Sequence, residues 1–223
     1  MNELAQQIIK VRQRLQQAAQ RAGHKPVQLL AVTKQVSVER IEQAYTLGLT
    51  KFGESKVQEA LPKLARLPQA EWHYIGRLQT NKVKDVVGRF ALIHSLDRWK
   101  LAEALEGEAA KKEQQVGVLV QVNIGREEQK GGLDPAEVSD FIHELSSLPH
   151  LRLEGLMAIP PQTADPEEAR PYFRAMFQLF SSLRSGGFKL KLLSMGMSQD
   201  FEVAVEEGAN LVRIGSLLFG ERA

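Results

Sequence analysis

The sequence contains no cysteine, which removes disulfides, thiolate metal sites and a cysteine nucleophile together and suits a reducing compartment. Aromatic side chains are scarce, with three tyrosines and two tryptophans in 223 residues. Neither sign of charge dominates, since 29 lysines and arginines face 27 aspartates and glutamates. No basic stripe with interleaved aromatics stands out, so nucleic acid is not an expected partner. No apolar run approaches the roughly 20 residues that span a bilayer. The N-terminal stretch carries Glu3 and lacks the continuous apolar segment of a secretory signal. The five histidines (His24, His73, His94, His143, His150) form no His-x-His or His-Glu-x-x-His pattern, which argues against a metal site. The expectation is a soluble, cytoplasmic protein that binds no membrane and no metal.

What is present is ordinary in amount and regular in order. Hydrophobic residues make up 43% of the chain and charged residues 25%, as in a typical globular protein. Leu4, Ile8, Val11, Leu15, Ala18 and Ala22 recur at spacings of three and four, an amphipathic helix that ends near Gly23 and packs on the outside of the domain. Strand-like stretches follow near 29–33, 51–53, 72–75, 91–95, 116–124, 151–158, 190–194 and 210–214. Helical patterns fill the gaps: Val38 to Leu47, Val57 to Leu67, Lys82 to Val87, Arg98 to Lys112, Pro135 to Ser147, Pro166 to Arg184 and Gln199 to Glu207. Ser37 and Ser198 are placed to cap helices, and Pro135 and Pro166 sit at first-turn positions. Glu206-Glu207 reads as a solvated face. Eight strands alternating with helices predict a parallel sheet closed into a single TIM-like (β/α)8 barrel over residues 1–223. An open doubly wound sheet is the alternative, but the first βα turn, Lys34-Gln35-Val36-Ser37, lacks the Gly-x-Gly-x-x-Gly fingerprint.

A barrel delivers the C-terminal end of every strand to one rim, where its active sites are built. Lys34, Glu54, Ser55, Gly76, Asn123, Met157, Met195 to Ser198 and Arg213 to Ser216 would converge there. Leu29-Leu30-Ala31-Val32-Thr33 ends abruptly in Lys34, and a lysine at the mouth of a buried strand can act as a nucleophilic amine. Ser194-Met195-Gly196-Met197-Ser198 and Arg213-Ile214-Gly215-Ser216 place small residues where strands give way to helices, positions that suit an anion. A phosphate site made by the loops after strands seven and eight recurs in this barrel class. A carbonyl compound carrying a phosphate would use both the amine and the anion site, and pyridoxal 5′-phosphate (PLP) is such a compound.

Six segments taken in order carry a family resemblance. They are Ala31-Val32-Thr33-Lys34, Phe52-Gly53-Glu54, Trp72 to Lys82, Gly155-Leu156-Met157-Ala158-Ile159-Pro160, Ser194 to Ser198 and Val212-Arg213-Ile214-Gly215. From about Leu29 to Gly220 the chain resembles the PLP-binding proteins of vitamin B6 homeostasis, the YggS/PROSC family. The resemblance implies a barrel similar to that of alanine racemase (PLP fold type III), with PLP held as a Schiff base on Lys34. It also implies phosphate contacts from Ser198 and from the backbone at Gly215 and Ser216, with Arg213 facing the pyridine nitrogen. Met195 belongs to the same segment as Ser198, and Asn123 and Lys130 match a stretch bordering the family's cofactor site. Ser55 departs from the asparagine that many members carry after Phe-Gly-Glu, so no contact is inferred for it. No catalytic residue is implied, and the expected partners beyond PLP are PLP-dependent apoenzymes or a regulatory protein. A monomer is expected.

An arginine can only donate to the pyridine nitrogen, which therefore stays unprotonated and is a weaker electron sink. No opposed second base is evident. Tyr45 fits a helix face, Tyr172 a helix start, and Tyr74 lies on a strand facing either the barrel interior or the helices. The reading is a PLP carrier or buffer with little turnover. Two alternatives remain at this point: a fold-type III enzyme such as an amino-acid racemase, and a cofactor-free sugar-phosphate barrel enzyme.

Overall fold

A computed structural model describes residues 2–23 and 26–220; Met1, His24, Lys25 and the last three residues lie outside the described residues. Helix α1 (Glu3–Arg21) comes first. Eight strands follow: β1 (Gln28–Val32), β2 (Lys51–Glu54), β3 (Glu71–Tyr74), β4 (Leu92–Leu96), β5 (Val116–Val122), β6 (Leu151–Ala158), β7 (Leu192–Ser194) and β8 (Leu211–Ile214). Each strand is parallel to its neighbours, and β8 returns to pair with β1 in a closed barrel. The register sets Leu30 beside Arg213 and Val32 beside Gly53.

The helices between strands are α2 (Val38–Thr46), α3 (Val57–Arg66), α4 (Val83–Val86), α5 (Trp99–Lys111), α6 (Val138–Leu145), α7 (Arg170–Ser185) and α8 (Phe201–Glu206), with the short α9 (Ser216–Phe219) after β8. Strand alternation decides which residues reach them. Trp72 and Tyr74 belong to the main core, so His73 between them faces the barrel interior. Tyr74 packs edge-on against Phe90 with ring centroids 5.4 Å apart, which settles its direction toward the helices. Inside the barrel, Leu92, Leu119 and Met157 form a small apolar cluster of their own.

Helix α1 buries Leu4, Ile8, Val11, Leu15 and Ala18 against α8 and α9, the stripe its spacing predicts. Arg14 pairs with Glu202 at 2.5 Å and Arg21 with Glu206 at 2.7 Å. Arg170 then reaches both Glu206 and Glu207, and Arg174 reaches Glu207. The glutamate pair read as a solvated face is therefore the hub of an ion network tying α1, α7 and α8 together.

Three helix limits differ from the sequence pattern for local reasons. Pro135 lies in a turn, because the Asp134 carboxylate accepts from Ala136 N–H at 2.9 Å and delays α6 until Val138. The stretch from Pro166 begins as a 3-10 turn, Pro166–Ala169, with Asp165 as its cap, before α7 starts. Ser37 does cap α2, accepting from Arg40 N–H. Ser198 does not cap α8: that helix starts at Phe201, and the Ser198 hydroxyl instead accepts from Gly215 N–H at 3.3 Å.

Candidate functional site

The strand ends open onto one cavity of about 1300 Å³. Lys34, Ser55, Ile75, Lys130, Met157, Ser198, Asp200, Arg213, Gly215 and Ser216 are among its lining residues. Five of the seven residues singled out from the sequence thus line this one cavity: Lys34, Ser198, Arg213, Gly215 and Ser216. The other two are placed elsewhere. Met195 is fully buried in the main core. Asn123 acts within its own loop, where its amide donates to Glu127 C=O at 3.0 Å and its oxygen accepts from Glu127 N–H at 3.2 Å. That loop in turn presents Lys130, which pairs with Glu127 at 2.5 Å and donates to Pro160 C=O at 2.9 Å.

Lys34 lies two residues past the end of β1 and is half-buried. The chain turns sharply after it, since Gln35 adopts φ +62°, a left-handed conformation unusual for a side chain-bearing residue. Beneath this turn lies a buried ion pair that the sequence reading missed. Lys63 donates to Glu54 Oε1 at 2.7 Å and to the carbonyl of Thr33 at 2.7 Å, while the Thr33 hydroxyl donates to the same carboxylate at 2.5 Å. Lys63 projects inward from α3, a direction its charge alone conceals. Next to the lining residue Ile75, Gly76 is obligatory: a Cβ there would lie 2.1 Å from the Ser55 carbonyl oxygen.

Arg213 is buried and bonded only to neutral acceptors in the recorded contacts: Ser194 C=O at 2.9 Å, Ser194 Oγ at 2.7 Å and Ala158 C=O at 3.0 Å. Burial lowers its pKa to about 10, against the attraction of Asp200, so it is cationic at neutral pH. Desolvation raises the pKa of Asp200, whose carboxylate accepts from Met197 N–H at 2.7 Å.

The Ser194 hydroxyl lies 3.2 Å from His94 Nδ1, and His94 Nε2 lies 2.9 Å from His73 Nδ1. His73 Nε2 meets Glu71 Oε1 at 2.8 Å, and Lys51 holds the other carboxylate oxygen. The sequence reading found no metal pattern in the histidines and missed this pairing, though the alternation of Trp72-His73-Tyr74 signals an inward ring. Burial depresses both imidazoles, His94 well below the usual value; for His73 the Glu71 carboxylate opposes the shift. Glu71 is held down to about 2, first by His73 and then by Lys51.

Acid lability follows. As pH falls through 6.5 the unfolded chain protonates both imidazoles before the native state does, because burial lowers their native pKa values, so the unfolded state binds more protons and stability falls as pH drops. Each such proton contributes a slope of about 1.4 kcal/mol per pH unit. Glu71 acts in the same direction at lower pH, its contribution being lost between about 4.5 and about 2. Urea unfolding from pH 7.5 to 4.5 should show stability declining steeply below pH 6.5 in the wild type and less steeply in His94→Gln.

The donor set suits a phosphorylated aldehyde with a basic ring. The cavity lining includes the Lys34 amine and the buried Arg213 guanidinium. It also includes Ser198, Gly215 and Ser216, the last opening α9, whose first-turn N–H groups have no intrahelical acceptor.

Residues 8–223 match the family described as alanine racemase, N-terminal domain, which sets the class: a barrel of the alanine racemase type. The chain belongs to the pyridoxal phosphate homeostasis protein family. It is 47% identical over 222 residues to the pyridoxal phosphate homeostasis protein of Aquifex aeolicus, covering 97% of each chain. It is 41% identical over 226 residues to that of Pseudomonas aeruginosa, covering 100% of this chain and 97% of the other. The structure of PipY from Synechococcus elongatus with PLP bound superposes with a TM-score of 0.86 at 35% identity, covering 98% of this chain and 100% of that one. An alanine racemase of Clostridium difficile shares the fold alone, with a TM-score of 0.73 at 16% identity over 95% of this chain and 56% of its own.

Proposed function

We propose that this protein binds PLP through a Schiff base to Lys34 and serves vitamin B6 homeostasis as a monomeric carrier or buffer with little catalytic turnover. The observation that carries the reading is the convergence of Lys34, Arg213, Ser198, Gly215 and Ser216 on one cavity. The relatives' names and the PLP-bound PipY structure support the same cofactor.

PLP supplies an aldehyde that condenses reversibly with amines and a ring that withdraws electrons. Lys34 provides the amine. Ser198 and Ser216 offer hydroxyl donors, and the first turn of α9 offers N–H groups, to the phosphate. Arg213, cationic at neutral pH, has only N–H donors to offer and would donate to the ring nitrogen without protonating it. That arrangement limits the electron-withdrawing power available for breaking bonds at an attached amino acid.

Racemisation also needs proton-transfer groups on both faces of a substrate. The phenol of Tyr74 is packed against Phe90, and Tyr45 packs against the main core. Neither they nor Tyr172 is among the cavity-lining residues.

The test is incubation with PLP, borohydride reduction and peptide mass spectrometry, alongside amino-acid racemase and decarboxylase assays. One pyridoxyl phosphate adduct on Lys34, with negligible turnover, is the expected result. An adduct elsewhere, or enzymatic turnover with free amino acids, would overturn the reading.

A further inference from the structure

A hydrogen-bonded chain, Glu71–His73–His94–Ser194, starts on the partly exposed first residue of β3, runs through buried side chains and ends on Arg213, next to last in β8. It crosses the barrel interior from the N-terminal rim to the cavity, in a fold whose interior is ordinarily filled by branched apolar side chains. Its two ends are fixed in sign. Arg213 can only donate, so Ser194 Oγ accepts from Nη1 and keeps its own proton for His94 Nδ1. His94 then carries its proton on Nε2 and donates to His73 Nδ1, and His73 donates through Nε2 to the Glu71 carboxylate. The opposite order would turn a ring lone pair of His73 toward Glu71. Only one direction satisfies every member.

From this directionality we infer that Glu71, His73, His94 and Ser194 are positioning residues, a polarised relay that holds the Arg213 guanidinium in place for the ring of a bound cofactor and links the cationic cavity wall to a carboxylate at the far rim. The inference rests on the PLP reading above. Arg213 makes no recorded ion pair with a carboxylate among the described residues. Cooperative polarisation along the chain supplies part of that compensation. Glu71 is itself tied to Lys51, which lines a second, smaller cavity of about 590 Å³ with Arg12, Gln28 and Thr50. Changes at the far rim should therefore register at the cofactor.

The experiment has two arms. Nitrogen-15 NMR of the histidines in the wild type should show His73 and His94 neutral at pH 7, both with the proton on Nε2. PLP affinity and the absorption spectrum of the PLP-loaded protein are then compared among wild type, His94→Leu, His94→Gln and Glu71→Gln, with thermal unfolding recorded for each. His94→Leu should weaken PLP binding about tenfold, the scale of one lost buried hydrogen bond, and shift the absorption spectrum. His94→Gln, whose amide can accept from Ser194 and donate to His73, should recover both. Glu71→Gln should shift the spectrum in the same direction by less. A folded His94→Leu with wild-type affinity and spectrum, or a proton on Nδ1 of either ring, overturns the relay. A wild type with the expected tautomers that takes up no PLP overturns the reading of the cavity instead, and this role with it.

Discussion

Lys34→Ala should abolish the borohydride-stable adduct proposed at position 34 and reduce total pyridoxyl phosphate incorporation to a small fraction of wild type. Lys34 is the amine that β1 delivers to the rim, half-buried and followed by the strained turn at Gln35, so no neighbouring residue can take its place without moving the strand. The residues proposed to hold the phosphate do not depend on it. Ser198, Gly215 and Ser216 sit on the loops after β7 and β8, and the variant should still bind PLP reversibly, more weakly and without the absorption of a lysine-linked chromophore. Lys130 lines the same cavity, but its ammonium is committed to Glu127 and Pro160. It must break that ion pair and shed a proton before it can attack. Residual labelling of Lys34→Ala, where it occurs, should therefore be slow and confined to the Lys130 peptide. Labelling at the wild-type rate would mean that Lys34 is not the carrier amine. Peptide mapping at several reaction times distinguishes these results.

The barrel was legible because each strand is a short apolar run bounded by punctuation, and eight of them alternate with helical spacing. The strand limits read from pattern agree with β1 to β8 to within about two residues. The wall of the cavity was legible for the same reason: Lys34, Ser198, Arg213, Gly215 and Ser216 all stand at strand ends, and a closed parallel barrel brings strand ends together. What escaped is what strand order does not encode. Asn123 also follows a strand, yet its short amide is consumed within the Asn123–Glu127 loop. Met195 lies one residue past β7, and alternation turns it outward to the helices. Ser198 looked like a cap because Asp200 and Glu202 follow it, whereas α8 begins only at Phe201 and Glu202 belongs to Arg14. The ion pair under β1 was hidden most completely. A lysine within an amphipathic helix reads as solvated, and only tertiary packing reveals that Lys63 points at Glu54.

That ion pair should dominate the stability of the site. Glu54 is fully buried and Lys63 nearly so, at 0% and 7% side-chain exposure. A buried pair contributes little net stability relative to a well-packed apolar substitute, because desolvation offsets the attraction. Removing one partner is different, since the survivor keeps its desolvation penalty without compensation. Lys63→Ala should therefore destabilise the protein by about 3–5 kcal/mol, which for a chain of this size corresponds to a fall in Tm of roughly 10 °C. The double variant Glu54→Gln/Lys63→Met, which removes both charges and retains most of the volume, should lose much less. Lys63 also holds the Thr33 carbonyl, one residue before Lys34, so its loss should slow adduct formation even at temperatures where the variant stays folded. The double variant should share that slowing, because methionine cannot donate to Thr33. Urea denaturation and the rate of borohydride-trapped labelling separate the two effects. Equal destabilisation in the single and double variants would show that the position depends on packing around the lysine stem rather than on the stranded charge.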